Sequence, residues 1–226
     1  MSFWQQQEDN REAEQNEGYR KEPGVEKAYQ REFTGEKSGS LYVNCCGLSR
    51  TEPLHSFGPA LKPHYLIHYI VSGRGRLQLG GKEYPLEQGY GFLIPPEELA
   101  FYQADEADPW TYVWVGFYGS LAQDVLNSMG LSLTSPVFKT DKGKEIYQSV
   151  KDMLEHNTFG VSNELRRNGQ LQLFLSLIAE SAPVEERGED DKADTYVKRA
   201  VAFIVGNYCN PIKITDVADY VCINRS

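Results

Sequence analysis

The chain has few cysteines, few histidines, no surplus of positive charge and no long apolar run, and each shortage excludes something. Its four cysteines are an adjacent pair, Cys45 and Cys46, and two distant singles, Cys209 and Cys222. That pattern fits neither a disulfide framework nor a zinc spacing. Reduced thiols in the cytoplasm are the expectation. No apolar stretch nears the ~20 residues that cross a bilayer. The first residues, Met1-Ser-Phe-Trp-Gln-Gln-Gln-Glu-Asp9, lack a basic segment followed by an apolar core. Neither a membrane span nor a secretory leader is therefore expected. Lys and Arg number 23 against 32 Asp and Glu, a formal net charge of −9. Such a chain does not grip nucleic acid by charge. The charge is uneven, however. From Asp194 onward, Lys198, Arg199, Lys213 and Arg225 outnumber Asp194, Asp216 and Asp219, so this tail carries +1 and the rest −10.

Catalytic signatures are also missing. Glu97 and Glu98 look like paired carboxylates, but neighbours on a turn after Pro95-Pro96 point apart. Gly73-Arg-Gly75 joins a strand to a strand, which reads as a hairpin turn and not as a phosphate cradle. No nucleophile elbow and no Cys–His pattern stands out, so an enzyme is not expected.

What is present is a turn-rich, aromatic chain of 226 residues with 40% hydrophobic and 12% aromatic residues, 20 Gly and 11 Pro. That size suits one sizeable domain and a small one. Residues 1–35 are polar and predict a loose amino-terminal arm. Leu41-Tyr-Val-Asn-Cys-Cys46 is a first β-rich stretch, and His55-Ser-Phe-Gly-Pro59 reads as a loop. Strands are expected at 64–72, 75–80, 82–86, 90–94, 99–104 and 111–118, a spacing that suits a sandwich or barrel over 36–118. Helical periodicity takes over in 119–181. Ser120–Met129 ends at Gly130, which suits a left-handed cap. Lys142–Asn157 carries Ile146, Val150, Met153 and Leu154 on one stripe. The helix over 162–181 has Leu171, Phe174, Leu175 and Ile178 on one face and Leu173 with Leu177 on another. Two apolar faces need two partners, one of them the barrel and the other a neighbouring helix or a second subunit. The charged stretch 182–193 is the expected linker. Beyond it, 194–226 predicts two short helices, around Val197–Tyr208 and Ile214–Val221. Ser226 is placed to cap another helix.

One strand carries the clearest binding signal. Trp110, Tyr112 and Trp114 alternate and so share a face. Flat aromatic faces beside a few fixed polar groups suit the C–H side of a sugar ring and its hydroxyls. The same residues would also fill a ligand-free core, and composition alone leaves both open. His68 has the parity of Leu66 and Ile70, which suits a core histidine or a ligand contact.

Two stretches together resemble a known family. Asp216-Val-Ala-Asp-Tyr-Val-Cys-Ile-Asn-Arg-Ser226 resembles the start of the first helix-turn-helix of AraC/XylS-type transcription regulators. His55-Ser-Phe-Gly-Pro59, Tyr65-Leu-Ile-His-Tyr-Ile-Val-Ser-Gly-Arg-Gly75, Pro95-Pro96 and Tyr102–Gly119 resemble the sensor domain of its sugar-responsive branch. The resemblance implies an α+β chain: a cupin-like (jelly-roll) barrel, a helical dimerisation region, and a partial helix-turn-helix segment of a longer protein. It implies a carbohydrate effector held by Tyr102, Tyr112 and Trp114, with Trp110 at the strand's entry open to contact or core, His68 and His55 as polar partners, and Lys62 or Arg74 as the cation. Gly58 stands where the family archetype has its sugar-gripping arginine. Only Asn224, Arg225 and Ser226 remain of a DNA-reading surface, so promoter DNA is a partner of the full-length protein. A homodimer is expected. No cofactor is implied, and His55, His64, His68 and His156 cannot supply the cupin metal signature, so no metal is expected. A cupin-type sugar isomerase is the alternative from another class.

Overall fold

The computed structural model describes residues 25–33, 40–156, 158, 160–181 and 189–222. Asn224, Arg225 and Ser226 lie outside the described residues, as does most of the expected arm. The chain divides into two units, Met1–Ala182 and Pro183–Ser226.

In the first unit, β1 (Val25–Glu32), β2 (Tyr42–Thr51), β4 (Tyr65–Ser72), β7 (Tyr90–Ile94), β9 (Thr111–Tyr118) and β10 (Val137–Lys139) form one sheet in the order β1-β2-β9-β4-β7-β10. Four more strands, β3 (Ser56–Ala60), β5 (Arg74–Leu79), β6 (Lys82–Glu87) and β8 (Ala100–Ala104), form a second sheet in the order β3-β8-β5-β6. The named pairings are all antiparallel. Three helices follow: α1 (Ala122–Ser128), α2 (Gly143–Glu155) and α3 (Val161–Ala179).

The large sheet is buried on both faces, which its composition anticipates. Along β4, Ile67, Tyr69 and Val71 face the helices and join Leu126, Ile146, Val150, Met153, Phe174 and Ile178 in one core. Leu66, His68 and Ile70 face the small sheet. His68 therefore has the parity read from the sequence. The same division runs along β9, with Val113, Val115 and Phe117 on the helix side and Tyr112 and Trp114 between the sheets. The result is a two-sheet, cupin-like barrel with helices outside it, an α+β fold.

Several local expectations give way. Val25–Glu32, expected within a loose arm, is an edge strand paired with β2. Backbone ladders form without an apolar face, so hydropathy gives no sign of such a strand. Where a loop is expected over His55–Pro59, Ser56–Ala60 is β3, paired with β8. Gly73 is not a hairpin turn: β4 and β5 lie in different sheets, and the chain changes sheet there at a positive φ of 72°. A Cβ on Gly73 would sit 2.5 Å from the Pro109 carbonyl oxygen. Gly130 does take the left-handed cap, at φ 72°. The helix expected over 162–181 begins at Val161, with Gly160 at its N-cap position and no side-chain cap bond.

Helix α3 shows which apolar face meets the barrel. Leu171, Phe174, Leu175 and Ile178 are buried in the helix-side core, and Leu177 packs partly against it. On the other side Val161, Leu165 and Leu173 are 73%, 67% and 55% exposed. They recur at intervals of four and eight residues, so they form one stripe. Gly169 lies in that stripe, with no atom within 4 Å of where its Cβ would be.

The second unit holds α4 (Glu189–Asn207) and α5 (Ile214–Val221). α4 begins inside the stretch expected to be linker, because an acid-rich opening suits a helix amino terminus. Phe203 packs on Tyr220 with ring centroids 4.8 Å apart, and an Arg199 N–H donates to the Tyr220 carbonyl at 3.1 Å. Cys222 closes α5 in the left-handed region at φ 59°.

Candidate functional site

Between the sheets, the aromatic residues expected at the site converge on His68. Its ring stacks on Phe92 at 4.6 Å and 10°. Tyr102, Tyr112 and Trp114 surround it at centroid distances of 4.9, 5.2 and 6.3 Å. Strand register explains the meeting: His68 of β4 lies opposite Trp114 of β9 on one side and Phe92 of β7 on the other. Tyr102 arrives from β8 in the facing sheet. Trp110 closes the inner end, 5.9 Å from Tyr112 and 6.3 Å from Tyr102. It is 1% exposed, so it forms a floor.

Trp114 is the half-buried member of this set. Its indole lies on the backbone of Gly47, its register partner in β2. A Cβ on Gly47 would run into that ring. Phe57 of β3 stacks on Tyr102 at 5.2 Å, and Lys62 Nζ stands 5.3 Å from the Phe57 ring centroid. Lys62 is thus joined to the aromatic set through Phe57. His55 precedes β3, with its carbonyl accepting from the Ala104 N–H at 2.9 Å. It is placed by the strand that carries Phe57, outside the group around His68.

Three buried polar atoms of the described residues have no hydrogen-bond partner: Ser49 Oγ, His68 Nδ1 and Trp110 Nε1. Each leaves a desolvated group unpaired, at a cost of about 1–3 kcal/mol. All three belong to the aromatic chamber. Ser49 lies opposite Tyr112 in the β2–β9 ladder and so shares its face. The sequence reading missed Ser49; the signal available was its place two residues after Gly47 on an alternating strand. Complete burial pushes the His68 pKa down to about 3, so the imidazole is neutral.

Further along the same interior lies a pair that the sequence reading did not see. Cys45 Sγ is 3.6 Å from His64 Nε2, and Asn44 Nδ2 is 3.4 Å from His64 Nδ1. A bulge between Val43 and Cys45 inverts the alternation of β2, which hides the pairing from a period-two count. Burial raises the Cys45 thiol to about 11, and burial with the nearby Lys62 charge lowers His64. Both are neutral, so this is not an activated thiolate–imidazolium pair. Among the described residues no three His, Cys, Asp or Glu side chains are grouped so as to hold a metal ion.

A concavity of about 730 Å³ is lined by Arg74, Arg76, Glu83, Glu87, Gln103 and Asp105, among others, and by none of His68, Tyr102, Trp110, Tyr112 and Trp114. Arg74–Asp105 at 3.4 Å and Arg76–Glu83 at 3.3 Å already pair its two arginines. The aromatic chamber, with unpaired polar atoms, is the better founded site. Among the described residues no helix is long and apolar enough to cross a membrane.

Comparison with known proteins gives a consistent result. The family model described as the AraC-like ligand binding domain matches residues 42–193. The Msm operon regulatory protein of Streptococcus mutans is 32% identical over 190 residues, covering 82% of this chain and 68% of that protein. The raffinose operon transcriptional regulatory protein of Pediococcus pentosaceus is 25% identical, covering 75% and 62%. The lactose operon transcription activator of Staphylococcus xylosus is 25% identical, covering 80% and 66%. The chain thus spans about two thirds of the length of these relatives.

Proposed function

Because the chain belongs to the family of AraC-like ligand-binding domains, we propose that it is the effector-sensing and dimerisation region of a cytoplasmic transcription regulator. Its effector is a saccharide, and its targets are genes of carbohydrate use. The observation that carries this reading is the aromatic cluster around His68, where Tyr102, Tyr112 and Trp114 meet the imidazole in tilted, edge-on and stacked contacts and Ser49 Oγ, His68 Nδ1 and Trp110 Nε1 are buried without a partner. Apolar faces for ring C–H groups and a few fixed polar atoms for hydroxyls are what a neutral sugar asks for. The relatives named for raffinose and lactose operons support the same class of effector, and their names do not support the alternative of a cupin-type isomerase.

In this reading Trp114 is the stacking platform, Tyr102 and Tyr112 form the walls, and His68 and Ser49 meet hydroxyls. Lys62 and His55 belong to the rim on the β3 side, and Trp110 supports the floor. The outer stripe of α3, Val161, Leu165 and Leu173, meets its counterpart in a homodimer. Asn224, Arg225 and Ser226 belong to the beginning of a promoter-reading surface. Sugar binding regulates by favouring one arrangement of the protein over another, which requires different affinities for the two.

Calorimetric titration with a panel of mono- and oligosaccharides tests the reading through Trp114→Ala. Loss of the platform should weaken binding by roughly 1–3 kcal/mol, as for a buried aromatic anchor. Unchanged affinity in a folded variant would overturn it.

A further inference from the structure

We propose that Gly47 is a positioning residue for effector recognition: by leaving the place of its own side chain to the Trp114 indole, it fixes the platform on which the sugar stacks. The proposal rests on the saccharide reading above and adds the residue that sets where the platform stands.

Glycine is a costly choice in the body of a strand, since it gives up more conformational freedom than any other residue and brings no side chain to pack. Two things ordinarily account for it: a left-handed backbone, or the close approach of another group. Gly73 has the first, at φ 72°. Gly47 does not, because its φ lies outside the left-handed region and β2 pairs with β9 in register on either side of it.

The close approach is that of Trp114. Gly47 is buried in β2 and stands opposite Trp114 in β9. The three heavy atoms nearest to where its Cβ would be are Cζ2, Cη2 and Cε2 of Trp114, the last at 2.6 Å. No backbone atom is among them, so the six-membered ring of the indole occupies the place of a side chain at 47. Trp110 gives the contrast. Its ring approaches Gly75 in the same way, but a Cβ on Gly75 would also lie 2.5 Å from the Gln103 carbonyl oxygen. Gly75 is thus needed by the sheet as well as by the ring, whereas Gly47 is needed by the ring.

An indole held in this way has little freedom. Gly47 backs it, the His68 ring lies 6.3 Å away at 26°, and the Tyr112 ring lies 5.6 Å away at 51°. A methyl group at 47 forces the indole off β2. It must then press on His68 and Tyr112, which are buried, or swing toward the solvent that its half-buried place leaves open. Either move takes the stacking face from where the sugar meets it, and such contacts weaken steeply within an ångström of displacement.

Calorimetric titration of the whole chain with glucose, galactose, lactose and raffinose, repeated on Gly47→Ala, Trp114→Ala and the two combined, tests this as a double-mutant cycle. For the sugar that the unaltered chain binds most tightly, Gly47→Ala should weaken binding about tenfold or more. Added to Trp114→Ala it should change affinity by less than about twofold, because no ring is left to displace. The Trp114 contribution to near-ultraviolet circular dichroism, taken as the unaltered chain minus Trp114→Ala, should change in Gly47→Ala with no sugar present. Where Gly47→Ala alone does not fold, the combined variant should, since the collision is gone. Unchanged affinity in Gly47→Ala, equal losses in both backgrounds, an unchanged Trp114 signal, or a combined variant that unfolds while Trp114→Ala folds would each overturn the role of Gly47 and leave the saccharide reading intact. A chain that binds none of these sugars overturns both.

Discussion

Burial keeps the His68 imidazole uncharged far below the pH at which a histidine ordinarily takes its proton, and that has a cost in acid. The unfolded chain takes up this proton near the ordinary value of 6.5, whereas the folded barrel resists to about 3. Stability from this group is therefore complete above pH 6.5 and falls as the pH drops toward 3, by up to about 1.4 kcal/mol per unit. His64, lowered by burial and by Lys62, acts in the same direction. We expect the melting temperature to fall between pH 7 and pH 5, and His68→Phe, which keeps a flat ring and cannot titrate, to flatten that fall in part. Identical slopes for the two proteins would show that His68 is not held neutral by folding. The parity of His68 was legible from Leu66 and Ile70, and the shared face of Tyr112 and Trp114 from simple alternation. The unpaired Ser49 and the contact of Cys45 with His64 were not. Both depend on which strands lie side by side, and in β2 a bulge breaks the alternation that would have shown the pairing.

At the scale of elements, periodicity located α2 and α3 well, because amphipathic helices bury one stripe whatever they pack against. It could not say which stripe of α3 meets the barrel, since both are apolar in sequence. Packing decides this: the Leu171 side enters the core, and the Leu173 side stays in solvent. The two stripes therefore predict different failures. Leu173→Glu should leave a folded barrel and shift the protein from dimer to monomer, because a charge replaces a side chain in a symmetric apolar contact. Leu175→Glu should instead unfold the helix side of the core, as an unpaired buried charge does. Light scattering with thermal melts separates the two. A parent protein that is monomeric at high micromolar concentration would end the dimer proposal. Short edge strands escaped the sequence reading for the opposite reason. β1 and β10 are held by backbone pairing with β2 and β7, and a ladder leaves little trace in side-chain pattern.

For the whole molecule, two units of different build meet one uneven distribution of charge. The barrel unit has two cores. The described part of the second unit is two helices on which Val197, Val201, Ile204, Val205 and Tyr208 remain exposed. Residues 194–226 carry the small positive surplus, and the rest of the chain carries the acid. Electrostatic attraction to phosphates supplies nearly all sequence-independent DNA affinity, and a chain at −9 has no such reserve. Base-edge contacts supply the specific part, and they need a helix seated in a groove. Asn224, Arg225 and Ser226, expected at the opening of such a surface, lie outside the described residues. We therefore expect this 226-residue chain to give no sequence-specific mobility shift at physiological salt, with or without sugar, while it still binds sugar by calorimetry. A retarded band on one promoter that scrambled competitor DNA fails to displace would show that the second unit reads bases by itself. Binding that appears only at low salt and on any sequence would be the weak attraction of the basic tail, because counterion release makes such binding fall steeply as salt rises.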